Sequence, residues 1–307
     1  VEFAVNDAHI KPENIVACIE GIVRKTWKVF PLCDICFVYT LTDNVERIFD
    51  DLKAGRFNRS AAAMETVADH YQIASIHLGV EVVRLEQAGL LVMRAPQDWT
   101  EQTPATGIEG VTRARVSGDG KIHFAGDGVH PFVETGHQLY EEAIERSMPI
   151  IHHASRAGGA HQLAEPFDPA NYENTIMRSL DELRRSGPWK KLAPDEALAQ
   201  QFSNRMDSLW KAEPGAELGF RFRGSAASVY DILGPDGGRL EITVDGLVTT
   251  SNRIDGYCTY WRLARLNVCA GLAPDVIHDV TIRVLPDELD KGEILFEENR
   301  PDLKKDP

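Results

Sequence analysis

A change of hydrophobic period near the middle of the chain constrains the fold most. Up to about residue 150, apolar runs of strand length alternate with stretches whose apolar residues recur every three to four positions. That alternation is the pattern of an α/β domain built on a parallel sheet. Beyond residue 216 the helical period disappears. The runs LGFRFRG, SVYDILG, RLEITVDG, GYCTYWRLARL and HDVTIRVLP follow one another, separated by Gly, Pro and Asp turns. Such runs predict an antiparallel β-sandwich or jelly roll.

Within the first part, VEFAV (1–5) and DICFVYTLT (34–42) read as buried strands, and Ile73 to Leu78 as a third. The segment 12–30 is expected to be a helix with Ile15, Ile19, Ile22 and Val23 on one face, and 58–72 and 79–89 are expected to be helices. LLVMRAP (90–96) reads as a peripheral strand and RARVSGDGKIHFA (113–125) as a hairpin turning at GDG. A helix from about Glu134, with Leu139, Ala143 and Ile144 toward the sheet, closes the domain. The expected organisation is an α/β domain over 1–150, a connector over 151–215 and a β-sandwich over 216–307. ENTIMRSLDELRRSG and PDEALAQQFSNRMDSLW are predicted helices in that connector. DKGEILFEENRPDLKKDP, at the end, is too polar to close a sheet well.

A chain of 307 residues, 43% of them hydrophobic, can bury a substantial core. Its 33 basic and 47 acidic residues give a net charge of −14, which repels nucleic acid and anionic membrane surfaces. No apolar run reaches membrane-spanning length, and VEFAVNDAH has no signal-peptide pattern. The opening inside a strand-like run, without Met, carries the expectation of a longer polypeptide; secretion or a periplasmic location would follow only from a leader upstream. Of the five cysteines, Cys33-x-x-Cys36 has no second pair at zinc spacing and reads as packing. Whether Cys258 and Cys269 pair is left open, as is oligomeric state.

Chemistry concentrates in FAGDGVHPFVETGHQLYEEAI (124–144). Asp127 and His130 lie three residues apart across a glycine turn. This spacing lets the carboxylate accept from Nδ1 of His130 and leaves Nε2 as a general base. The competing reading is a solvated turn capping a helix. Asn6 and Asp7 follow VEFAV directly. The carboxyl ends of parallel strands face the ligand crevice, so both are expected in the same cleft. Asn6 could there donate an amide N–H to a developing oxyanion, although Asn-Asp after a strand is also ordinary turn chemistry.

AVNDAH and DGVHPFVETGHQLY together resemble the third and fifth sequence blocks of the SGNH (GDSL-type) hydrolase family. FVYTLTDN, a helix and ADHYQIASIHLGVEVVRLEQAG stand between them in that family's order, so the resemblance covers about 1–148. It implies a partial three-layer, flavodoxin-like α/β/α domain with strand order 2-1-3-4-5, entered at strand 3. It also implies Asn6 as an oxyanion donor, His130 as general base and Asp127 as the residue that orients it. The Gly-Asp-Ser block that supplies the nucleophile has no counterpart, so the resemblance carries the expectation of a serine upstream and of a chain that is inactive alone. Ser60, Ser75, Ser117 and Ser147 occupy no nucleophile elbow.

The second half resembles the β-sandwich appended to some bacterial SGNH enzymes acting on carbohydrate esters. Tyr230, Tyr257, Tyr260 and Trp261 could stack on sugar rings or belong to the core. The resemblance implies an acetylated carbohydrate or another small ester as substrate, with no cofactor and no metal. Two rivals remain. One is a metal-dependent phosphoesterase using Asp7, His9, Asp127, His130 and His137; the other is a non-catalytic carbohydrate-binding protein.

Overall fold

The computed structural model describes residues 1–45, 47–96, 114–154 and 158–300. Two compact units divide the chain, Val1–Ile176 and Met177–Pro307.

The first unit is α/β. Its helices are α1 (Pro12–Val29), α2 (Ile48–Lys53), α3 (Arg59–Tyr71), α4 (Val80–Gln87) and α5 (Gly136–Ala154), and its strands are β1 (Cys36–Tyr39), β2 (Ala74–His77), β3 (Leu91–Arg94) and β4 (Ile122–Ala125). β1 pairs with β2 and β3 with β4, both in parallel. Alternation along β1 sorts two helix layers. Phe37 and Tyr39 enter a core with Ile15, Ile19, Val23 and Trp27 of α1 and Met64 and Val67 of α3. Cys36 and Val38 face a second core, where Ile76, Met93, Ile122 and Phe124 meet Val82 and Leu85 of α4 and Leu139 of α5. A strand covered on both faces needs apolar residues at consecutive positions, which is why CFVY reads as an unbroken run.

Several expectations change. In VEFAV only Val1 pairs beside β1, giving its amino group to the Cys36 carbonyl at 2.9 Å and taking the Val38 N–H at 3.0 Å. Residues 4–9 are turns, because the Glu2 carboxylate takes the Ala4 N–H and the Thr40 hydroxyl and bends the chain away. Ile22 and Ile144 are exposed, not facing the sheet. In the stretch predicted to be a hairpin, Ser117 and Lys121 close the turn, but the strand that follows is β4, parallel to β3. Arg113, at its start, lies outside the described residues.

Residues 161–173 return across α1 and α3 as a strap. Glu20, fully buried, accepts the Phe167 N–H at 2.6 Å, the Asp168 N–H at 2.8 Å and the Tyr71 hydroxyl at 2.6 Å. Arg24 donates to Tyr71 and to the Ala164 carbonyl and pairs with Glu173, and His161 stacks on Trp27. Gly21 permits the approach: a Cβ there would lie 2.8 Å from the Tyr172 backbone.

The second unit is a β-sandwich. Its strands are β5 (Arg184–Ser186), β6 (Trp189–Lys191), β7 (Trp210–Ala212), β8 (Glu217–Arg223), β9 (Ala227–Leu233), β10 (Arg239–Val244), β11 (Leu247–Asn252), β12 (Arg262–Cys269) and β13 (Ile277–Val284). Two short helices accompany them, α6 (Ala197–Phe202) and α7 (Lys291–Ile294). An antiparallel sheet in the order β11-β10-β13-β8-β5 shares a core with the β9/β12 pair, through Leu218, Ile242, Val280 and Ile282 against Leu266 and Val268. The helix expected over 173–187 is absent: single 3₁₀ turns at 172–174 and 180–182 precede β5, whose backbone pairs with β8. Sheet pairing overrides a helix-like polar pattern there. The helix expected over 194–210 shortens to α6. All five cysteines are free.

Candidate active site

The loop after β4 is shaped by its own backbone. Ala125 pairs with Pro131 across it, and Phe132 donates its N–H to the Phe124 carbonyl, so residues 126–130 project as a tip. At that tip Asp127 Oδ1 accepts the Val129 and His130 backbone N–H groups at 2.9 and 2.8 Å. Its other oxygen, Oδ2, lies 2.7 Å from His130 Nδ1. The side-chain bond from His130 first, and the two backbone N–H groups with it, hold the Asp127 carboxyl well below the usual carboxylate range. An ionised Asp127 can only accept, which assigns the proton to Nδ1 and leaves Nε2 as the basic nitrogen of the neutral ring. Nε2 has no partner among the described residues.

Exposure separates this pair from its counterparts. Among the described residues, Asp–His pairs also occur at Asp119–His123, Asp34–His161 and Asp245–His278. The imidazoles of His123 and His278 are 4% and 5% exposed and that of His161 is 31% exposed, whereas that of His130 is 85% exposed. Of these four rings, that of His130 alone is mostly exposed to solvent. His77, at the end of β2, is a packing residue: burial pushes it down to about 4, its Nδ1 takes the Gly79 N–H, and Phe57 stacks on it.

A polar triple after β1 holds the loop from beneath. The Thr42 hydroxyl, fully buried, donates to the Gly128 carbonyl at 2.9 Å, and Asn44 Nδ2 donates to the Asp127 carbonyl at 2.7 Å. Asp43 pairs with Arg94 of β3 at 3.0 Å, and the same guanidinium donates to Asn44 Oδ1. Thr42, Asp43 and Asn44 stand in FVYTLTDN, where no local spacing marks them as a site. Their signal is three polar residues in succession at the carboxyl end of a buried parallel strand, where ligand crevices form.

Asn6 is exposed on the turn over residues 4–9 and makes no hydrogen bond among the described residues. Its neighbours Val5 and Ala8 pack on the core that contains Leu41 and Ala125. The serines considered above are engaged elsewhere: Ser60 is buried and donates to the Ala4 carbonyl, and Ser147 donates to Ala143 within α5. Among the described residues no group of three or more His, Cys, Asp or Glu converges to hold a metal ion, so the rival set at Asp7, His9, Asp127, His130 and His137 does not assemble. No described helix is long and apolar enough to cross a membrane.

In the second unit Tyr230, Tyr257, Tyr260 and Trp261 are surface residues, 41% to 54% exposed, and not core.

No family model and no curated protein sequence matches the chain. Solved structures do. A two-domain esterase (CEX) active on acetylated mannans matches with a TM-score of 0.60 at 15% identity, over 90% of this chain and 64% of its own. The form co-crystallised with mannopentaose gives the same values. The chain thus spans 64% of the length of these structures, and the likeness is one of fold.

Proposed function

We propose that this chain is the larger part of a serine esterase of the SGNH type that removes acetyl or other short acyl groups from a carbohydrate. The observation that carries the proposal is the Asp127–His130 pair, with Nδ1 bound at 2.7 Å and Nε2 open to solvent. In the proposed reaction, Nε2 takes the proton of a serine hydroxyl as its oxygen attacks the acyl carbonyl. Asn6 donates to the oxyanion. Collapse of the intermediate expels the sugar oxygen, which takes the proton back from the imidazolium, and water then hydrolyses the acyl-enzyme by the same proton transfers. Asp127, ionised far below neutral pH, stabilises the imidazolium without itself gaining a proton.

No serine hydroxyl stands at Nε2 among the described residues, and the fold neighbours are longer; both support a serine supplied from outside this chain. The acetylated-mannan substrate of the fold neighbour and the exposed Tyr257, Tyr260 and Trp261 support a carbohydrate. These aromatics also carry the second reading, a carbohydrate-binding protein without catalysis.

Turnover of p-nitrophenyl acetate by the full-length protein tests the proposal. His130→Ala is expected to abolish it with the fold intact, and Asn6→Ala to lower kcat by about 10²-fold to 10³-fold. EDTA should leave it unchanged. Full activity in His130→Ala would remove His130 as the general base, and no turnover by the full-length parent would leave the binding reading in its place.

A further inference from the structure

We infer that Thr42, Asn44 and Arg94 form a positioning clamp that fixes the Asp127–His130 loop in its catalytic geometry. The inference rests on His130 being the general base.

Asp127 performs two opposed tasks. Its carboxylate faces His130 and two loop N–H groups, while its backbone carbonyl takes the Asn44 amide from the segment after β1 at 2.7 Å. The Gly128 carbonyl likewise takes the Thr42 hydroxyl at 2.9 Å and the Asp43 N–H at 3.3 Å. The loop is therefore also held through its main-chain carbonyls, and Asp127 Oδ2 is left to orient the imidazole. The clamp is itself cross-linked. Thr42 Oγ1 accepts the Asn44 N–H at 3.0 Å, fixing where the Asn44 side chain starts. Arg94 then spans Asp43 and Asn44, and its pull on Asn44 Oδ1 leaves Nδ2 as the end of that amide turned to Asp127. Arg94 lies on β3 and the triple follows β1, so the clamp ties the catalytic tip to two parallel strands besides its own.

A general base must sit within hydrogen-bond reach of the proton it removes, and a displacement of about 1 Å costs about 10²-fold in rate. Loosening the clamp moves the pair without removing a group that touches substrate. The signature is a loss in kcat with KM preserved.

The test compares conservative and disruptive variants of the full-length protein. Thr42→Ser keeps the hydroxyl and should hold kcat for p-nitrophenyl acetate near the parent value, while the isosteric Thr42→Val should lower it about tenfold at unchanged KM. Arg94→Met changes a half-exposed side chain and leaves the core untouched, so it keeps the test valid if Thr42→Val does not fold. It should reproduce the same loss, and the double variant Asn44→Ala/Arg94→Met should be no worse than Asn44→Ala alone. Nitrogen-15 spectra of His130 give a readout that needs no turnover: the ring should be the Nδ1–H tautomer in the parent, with Nε2–H appearing in the loosened variants. Wild-type kcat and an unchanged tautomer in Arg94→Met and Asn44→Ala would overturn the clamp. If His130→Ala retains activity, the general-base reading itself fails; if His130→Ala is inactive while the clamp variants match the parent, only the clamp fails.

Discussion

One backbone conformation decides what residue 128 can be. Gly128 has φ +78°, and a Cβ built on it would stand 1.8 Å from Asp43 Oδ1 and 3.0 Å from Arg94 Nε. Gly128→Ala therefore incurs a left-handed penalty of about 1–2 kcal/mol and also expels the Asp43 carboxylate from its place. We expect a lower melting temperature by circular dichroism and p-nitrophenyl acetate turnover reduced about tenfold. Unchanged turnover would mean that Asp43 moves aside without disturbing the loop. At this scale the sequence was most legible where contacts are local. Asp127 and His130 meet across three residues, so the spacing already allowed the bond between them, beside the alternative of a solvated turn. Asn44 and Asp127 meet across 83 residues, and Arg94 and Asp43 across 51. No local pattern encodes such meetings, which is why the clamp had to be seen folded.

At the scale of elements, the β10–β11 turn is pinned to β13 by a histidine. His278 is buried, with Nδ1 2.6 Å from Asp245 Oδ2 and Nε2 2.9 Å from the Ala273 carbonyl. Both partners can accept, so a doubly protonated ring donates to both at once, and the fold favours that cation. The Ala273 carbonyl and then Asp245 raise it above the ordinary value of 6.5. A raised folded value gives stability that is complete below the unfolded value and is lost as pH rises through the folded one. The midpoint of urea denaturation of the second unit should therefore fall as pH rises from the ordinary histidine value through the raised folded one, and His278→Gln should flatten that slope. An identical slope in the variant would assign the effect to other groups. Elements with strong periodicity, α1, α3 and the long strands of the sandwich, were readable in advance. Those fixed by one distant partner were not. VEFAV has the composition of a strand, yet Glu2 turns it aside through Thr40, and the polar segment 173–187 becomes a sheet edge because β8 offers it a ladder.

At the scale of the whole chain, an excess of 14 negative charges contributes to the field that the proposed ester substrate would meet. Neutral esters pass through it unimpeded, whereas a carboxylate-bearing p-nitrophenyl ester is repelled at low ionic strength. Raising salt from about 10 mM to about 500 mM should increase kcat/KM for the anionic ester severalfold and leave p-nitrophenyl acetate unchanged. Equal salt responses would mean that local charges at the site, not the global field, govern approach. The strap across α1 carries a different consequence, one of timing. Glu20 meets Phe167 and Asp168 across 147 and 148 residues of chain, and Arg24 meets Ala164 across 140. Contacts so distant close large loops, whose chain entropy must be spent before the contacts return anything. During synthesis, Glu20 leaves the ribosome long before its partners do. Until residue 168 emerges, α1 keeps a carboxylate whose main-chain donors have not yet been made, and the first unit waits on the last of its own sequence to finish.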